Sequence, residues 1–244
     1  MKETHLPLAA SIVAAIVSSG AMAGPRTCES LASLQLPDTT ITVAATVAAG
    51  GMPPIGTAAC RVAGTIKPTS DSAIAFEVWL PTTGWNGKFL SAGEGGFAGA
   101  INYGGIADAL RRGYAGGSTD TGHVGGTADF APGHPQKVID FGWRAKHLQA
   151  QRSKDIVKSF YGRSAKHSYF SSCSNGGRQA LMEIQRFADD YDGVLVGAPA
   201  NDWTHLFAGF VWNEQALWTM PFTEANGSVT HRPMEMAAHL LLRY

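Results

Sequence analysis

The stretch Tyr169-Phe170-Ser171-Ser172-Cys173-Ser174-Asn175-Gly176-Gly177-Arg178 constrains this chain more than any other. An apolar, β-prone run, Ser168 to Ser171, enters a corner of small residues and leaves as a helix-forming segment, Gln179 to Gln185. Strand, sharp turn and helix in that order are the setting of a nucleophile elbow, with Ser174 at the corner. Such a turn holds its backbone under strain and lets the following helix pass close by, which requires small neighbours; Gly176 and Gly177 supply them on the exit side. On the entry side Ser172 stands where the G-x-S-x-G pattern has glycine. A hydroxyl above a helix N-terminus, with the Asn175 N–H free to donate to a developing oxyanion, predicts acyl transfer at Ser174.

Other short runs fall in a telling order around this corner. They are Trp85-Asn86-Gly87-Lys88-Phe89, Gly93-Glu94-Gly95-Gly96 and Ser118-Thr119-Asp120-Thr121-Gly122-His123 upstream. Downstream come Arg186-Phe187, Tyr191-Asp192-Gly193 and Gly197-Ala198-Pro199-Ala200. Together with Cys173 to Arg178 this set resembles the tannase and feruloyl esterase family of secreted α/β-hydrolases, over roughly Cys28 to Trp218. The resemblance implies an α/β fold: a mixed, mostly parallel sheet with helices on both faces. It also implies a serine carboxylic-ester hydrolase whose substrate is a small ester of an aromatic acid, galloyl or feruloyl. In that family a lid domain, often carrying calcium, follows the nucleophile half, and the catalytic acid and histidine follow the lid. The cysteine beside the nucleophile there bonds one beside the catalytic histidine. This sequence has no such partner, so Cys173 is expected to be unpaired.

With 244 residues, 45% of them hydrophobic and 16% charged, the chain suits one large globular domain with a sizeable core. Nineteen basic residues balance nineteen acidic ones, which leaves no electrostatic footprint for nucleic acid or an anionic membrane. Leu6 to Val17 is an apolar run too short to span a bilayer, and Ala21 and Ala23 behind it suit a signal peptidase. These features predict a signal peptide over residues 1–23, cleavage before Gly24, and a secreted or periplasmic protein with no membrane attachment afterwards. Export permits disulfides. Cys28 and Cys60 flank a loop whose closure would restrict the unfolded chain by a few kcal/mol, and they are expected to form a bridge.

Arg61 to Lys67 and Ala73 to Leu80 read as a hairpin, followed by a short strand over Lys88 to Ser91. That strand ends in the glycine loop Gly93 to Gly99, which lacks the phosphate-cradle pattern. In a hydrolase, a glycine-rich turn after an early strand brings a second N–H to the reacting carbonyl; Gly95 or Gly96 is expected to complete the oxyanion hole with Asn175. A helix over Ile106 to Arg112 and a strand over Tyr114 to Ser118 follow. Asp120 and His123 precede Ser174, the wrong chain order for an α/β-hydrolase acid and base, so they are expected to brace the loop wall. His134 to Tyr161 repeats at helical spacing and should cover one sheet face. His147 and His167 lie in no metal-ligand spacing, so neither a metal site nor a cofactor is expected in this chain. Gly193 to Gly197 completes a strand-helix-strand unit with parallel pairing. The aromatic-rich segment Asn201 to Trp218 is expected to be core, or else to wall an aromatic pocket.

The expected organisation is a hydrolase core over 24–200 and the truncated start of a lid over 201–244. After Ser174 the histidines are His205, His231 and His239, none on a recognisable late strand. The chain thus reads as the fragment of an esterase that carries nucleophile and oxyanion hole but not the acid and histidine. An inactive secreted remnant or binding module of the same fold, and a hydrolase with Cys173 as nucleophile, are the competing readings.

Overall fold

The computed structural model describes residues 25–50, 55–97, 99–218, 222–223, 226 and 229–230. The expected leader over residues 1–23, and His231 and His239, lie outside them. A stretch rich in β-branched residues, Thr39 to Val47, forms the edge strand β1 (Thr39–Val47), an element beyond those expected from the sequence. It pairs antiparallel with β2 (Ala59–Ile66), and β2 pairs antiparallel with β3 (Ile74–Pro81), the expected hairpin. β4 (Lys88–Ala92), β5 (Ala115–Thr119), β6 (His167–Cys173) and β7 (Gly193–Gly197) complete a seven-stranded sheet in the order β1-β2-β3-β5-β4-β6-β7. From β5 to β7 all pairings are parallel.

Period-two alternation on β3 separates two cores. Ile74, Phe76, Val78 and Leu80 join the larger cluster, with Phe89, Phe170 and the apolar side of helix α3 (Ala145–Tyr161). Trp79 points the other way, onto Ile106, Ala107 and Leu110 of helix α1 (Tyr103–Arg111). Helices therefore cover both faces, the physical basis of an α/β layer architecture. The Cys28–Cys60 disulfide is present and ties the N-terminal segment to β2.

The long helical pattern expected over His134 to Tyr161 is interrupted. Helix α2 (Pro135–Ile139) passes into α3 through a π-helical turn, Asp140–Arg144. Helical spacing in the sequence is blind to one extra residue in a turn, and such turns concentrate near functional sites. Helix α4 (Asn175–Arg186) links β6 to β7, and helix α5 (Trp203–Trp218) follows. The core expectation for α5 is corrected beyond its first turns: Phe210, Val211 and Trp212 face solvent. No helix among the described residues is long and apolar enough to cross a membrane.

The strand order reverses at β4. The chain leaves β4 through α1 to reach β5 on one side and returns through α3 to β6 on the other. The crevice beyond the carboxyl ends of two such neighbouring parallel strands is where ligands bind in open α/β sheets. Here Ala92, at the end of β4, pairs with Ser171 of β6. The glycine loop and Ser174 consequently leave the sheet side by side.

Candidate active site

Ser174 sits at φ 60°, ψ −123°, a region that non-glycine residues enter only when the surroundings enforce it. Three backbone bonds do so here. Its N–H donates to the Gly197 carbonyl (3.1 Å), and its own carbonyl accepts from the N–H groups of Arg178 (3.1 Å) and Ala200 (2.9 Å). The side chain is exposed and does not cap the helix that begins after it. The first N–H groups of α4 are thus left to face whatever lies above the corner.

Glycine is required around the corner by contact. A Cβ on Gly176 would lie 1.9 Å from the Ser172 Oγ, and one on Gly93 would lie 2.6 Å from the Ser172 Cβ. The serine at the entry position therefore fills space that two glycines vacate, which is how this chain departs from G-x-S-x-G without opening the turn. A Cβ on Gly177 would meet the Gly197 carbonyl oxygen at 2.3 Å. Gly176 also faces the Glu94 carbonyl, which brings the glycine loop to within van der Waals reach of the α4 N-terminus. Gly95 and Gly96 border open space, and Gly96 has φ 58°.

Asn175 is buried, its Oδ1 accepting from Arg178 Nε at 2.8 Å. The same guanidinium donates to the carbonyls of Gly142 and Phe141 in the π turn (2.7 and 3.0 Å). Burial lowers Arg178 to about 10, which leaves it charged. It also lies over the rings of Phe141 and Trp203, at 4.9 and 5.3 Å. Phe97 of the glycine loop packs on Phe141, Trp203 and Phe207 at 5.7, 4.8 and 5.6 Å, so loop, π turn and the start of α5 share one aromatic wall.

Asp120 and His123 brace this wall. Asp120 Oδ1 accepts from the N–H groups of Ala75 and Gly122, and burial pushes its carboxyl up to about 7. His123 Nε2 donates to the Phe97 carbonyl at 2.5 Å, its ring stacks on Phe130 at 3.9 Å, and burial lowers its basicity. Among the described residues no hydrogen bond reaches Ser174 Oγ from any histidine. His205 Nδ1 instead donates to Asp202 at 2.6 Å, in solvent. Cys173 is unpaired and exposed.

One cluster escaped the spacing argument because three separate segments build it. His147 of α3, Glu183 of α4 and Asp190 of the following turn place potential ligand atoms within 4.8 Å of one another. As it stands the group neutralises itself. His147 Nδ1 donates to Asp190 (2.6 Å), Lys154 lies 3.4 Å from the same carboxylate, and Glu183, 1% exposed, has no donor on either oxygen among the described residues. Burial, and then the Asp190 charge, push Glu183 up to about 8, against the opposing pull of Lys146 and Lys154. A carboxyl raised in the fold favours the native state below its ordinary value, and that contribution is lost as pH rises from about 4.5 toward 8. One proton corresponds to a slope of about 1.4 kcal/mol per pH unit. Thermal midpoints taken at pH 5 and pH 8 should therefore fall more steeply in the native protein than in Glu183→Gln; parallel curves would contradict the buried proton.

Comparison with known proteins agrees with this geometry. The model of the family described as tannase and feruloyl esterase matches residues 60–227. An uncharacterized esterase of Xanthomonas campestris pv. campestris is 42% identical over 221 residues, 87% of this chain and 38% of that protein. A probable feruloyl esterase B-2 of Aspergillus flavus is 39% identical over 147 residues, 60% of this chain and 28% of that protein. The chain thus spans well under half the length of these relatives. The crystal structure of feruloyl esterase B from Aspergillus oryzae superposes with a TM-score of 0.72 at 34% identity, covering 78% of this chain and 39% of that one. Tannin acyl hydrolase from Aspergillus niger gives 0.58 at 26% identity, covering 72% and 34%. The sheet order, the switch-point crevice and these matches place the fold among the α/β-hydrolase esterases, and the chain belongs to the tannase and feruloyl esterase family.

Proposed function

We propose that this chain carries the nucleophile and oxyanion hole of a secreted serine esterase that cleaves esters of aromatic acids. The observation that carries the reading is Ser174: an exposed hydroxyl, held at a strained corner over the uncapped N-terminus of α4, beside a glycine loop. In the proposed cycle, Ser174 Oγ adds to the ester carbonyl carbon while the Asn175 N–H and a glycine-loop N–H, from Gly95 or Gly96, hold the oxyanion. The C–O bond to the alcohol breaks, the alcohol leaves with the proton taken from Ser174, and water hydrolyses the acyl-enzyme to the free acid. A histidine oriented by an acid has to carry that proton, and we place both in the longer sequence that the relatives possess, behind a lid that begins near residue 201. The wall of Phe97, Phe141, Trp203 and Phe207 beside the corner supports an aromatic acyl group. Cleavage of the leader before Gly24 and the Cys28–Cys60 bridge suit export.

A fluorophosphonate tests the reading directly. Peptide mapping of the full-length protein after inactivation should find one adduct, on Ser174, and kcat/KM for methyl ferulate should exceed that for methyl butyrate by about 10-fold or more. An adduct on Cys173 would transfer the chemistry to the thiol. Aromatic ester binding with neither labelling nor turnover would make the chain a binding module.

A further inference from the structure

Resting on the serine-esterase reading, we infer that Gln179 is a positioning residue that sets the width of the oxyanion hole through a reciprocal clamp on Glu94. The two proposed donors belong to segments about eighty residues apart, and both must point within about 3 Å of one oxygen. Neither β4 nor α4 fixes the distance between them, because the loop after β4 has left the sheet before Gly95. A side-chain clamp does. Gln179 Nε2 donates to Glu94 Oε2 at 2.9 Å, and the Glu94 N–H donates back to Gln179 Oε1 at 3.3 Å. Glu94 immediately precedes Gly95, and Gln179 stands one helical turn beyond Asn175, so the clamp ties the two donor segments by side-chain bonds, beside the packing of Gly176 against the Glu94 carbonyl.

The surroundings leave the clamp one arrangement. Glu94 and Gln179 are each 3% exposed. The other oxygen of Glu94 accepts from Ser118 Oγ (2.9 Å) and from Lys146 Nζ (3.2 Å), and Lys146 also holds the Ala92 carbonyl (2.6 Å). Asn102 fastens the first loop residue by donating from Nδ2 to the Gly93 carbonyl at 2.7 Å, while its N–H donates to Ser118 Oγ at 2.9 Å. A Cβ at Gly93 would lie 2.8 Å from Gln179 Oε1, so the loop is seated directly on the amide. A buried carboxylate paired with Lys146, in the field of Arg178 and met by donors on both oxygens, is held rigidly, because any shift strands a charge in a low-dielectric interior. No atom of Gln179 needs to touch the substrate for this role.

The test is Gln179→Leu, which keeps the volume and removes both bonds, with kcat expressed per phosphonate-titrated active site. The expected result is a kcat lower by about 10²-fold, with KM within twofold. Affinity for a boronic acid that forms a tetrahedral adduct should weaken by the same factor, and affinity for the product acid should not change. Ser118→Ala, which removes the Ser118 bond to Glu94 together with the bond from the Asn102 N–H and so loosens the clamp without deleting Gln179, should lower kcat by about 5-fold with the same signature and decides the question if Gln179→Leu fails to fold. A kcat per active site within threefold of the native value in the folded variants, accompanied only by a lower thermal midpoint, would reduce Gln179 to packing. Failure of the esterase reading itself would look different, because the native protein would then show no adduct on Ser174.

Discussion

Replacing Ser174 with alanine is expected, on the proposed serine-esterase reading, to lower ester hydrolysis by about 10⁴- to 10⁶-fold while leaving the fold and substrate binding intact. The side chain is exposed and makes no hydrogen bond among the described residues, so nothing structural depends on its hydroxyl. The backbone is another matter, because alanine has to adopt the same φ of 60°. The three main-chain bonds that enforce this conformation, to Gly197, Arg178 and Ala200, are untouched by the substitution. Residual hydrolysis would come from the N–H groups proposed to hold the oxyanion, which act on any nucleophile that reaches the carbonyl. Steady-state kinetics, with circular dichroism to verify folding, check the prediction. Activity surviving in Ser174→Ala but lost in Cys173→Ala would assign the nucleophile to the thiol. The two side chains leave the corner from successive residues and cannot both address one carbonyl.

The second large effect is expected from Gly177→Ala, a change of one methyl group. Its Cβ would stand 2.3 Å from the Gly197 carbonyl oxygen and 2.8 Å from the Pro199 Cα, both backbone atoms that no rotamer change can move. Either α4 lifts from the end of β7 or the turn after β7 is displaced. Overpacking of this kind costs about 1–3 kcal/mol, measurable as a lower denaturant midpoint with an unchanged slope. Activity should fall as well. The same Gly197 carbonyl accepts from the Ser174 N–H, so displacing it relaxes the strained corner, and a misplacement of about 1 Å can cost 10²-fold in rate. A folded Gly177→Ala variant with full turnover would show that the corner tolerates more freedom than its contacts suggest. Gly126, outside the proposed site, provides the internal contrast, since among the described residues nothing lies near the position its Cβ would take.

Much of this was legible in the chain because its causes are local. The elbow could be read from Tyr169 to Arg178 because strand propensity, small residues and a helix-forming run succeed one another within a few positions. The hairpin of β2 and β3, the strands β4 to β7 and the helices α1 and α4 followed from period-two and helical patterns in the same way. The Cys28–Cys60 bridge could be expected from two cysteines flanking one loop. β1 was missed because Thr39 to Val47 is an edge strand with little buried surface, and half-buried alternation leaves a weak apolar signature. The π turn was missed because one extra residue in a turn leaves helical spacing almost unchanged. α5 misled because its many aromatic residues suggest burial, whereas Trp203 and Phe207 pack on Phe97 while Phe210, Val211 and Trp212 face solvent.

By itself the sequence determined the corner, the candidate nucleophile, the two candidate oxyanion segments and the parallel unit that carries them. These rest on steric limits and propensities that act between near neighbours along the chain. Only the tertiary structure decided which side chains bind the segments together. The Glu94–Gln179 clamp spans 85 positions, Arg178 reaches the π turn across 36 and 37, and Glu183 meets His147 and Asp190 from a third element. Such pairings are set by strand order and by the reversal at β4, which bring the ends of β4 and β6 together. A hydrogen bond between distant segments has no signature along the chain, because it depends on where the sheet delivers each group and not on the residues beside it.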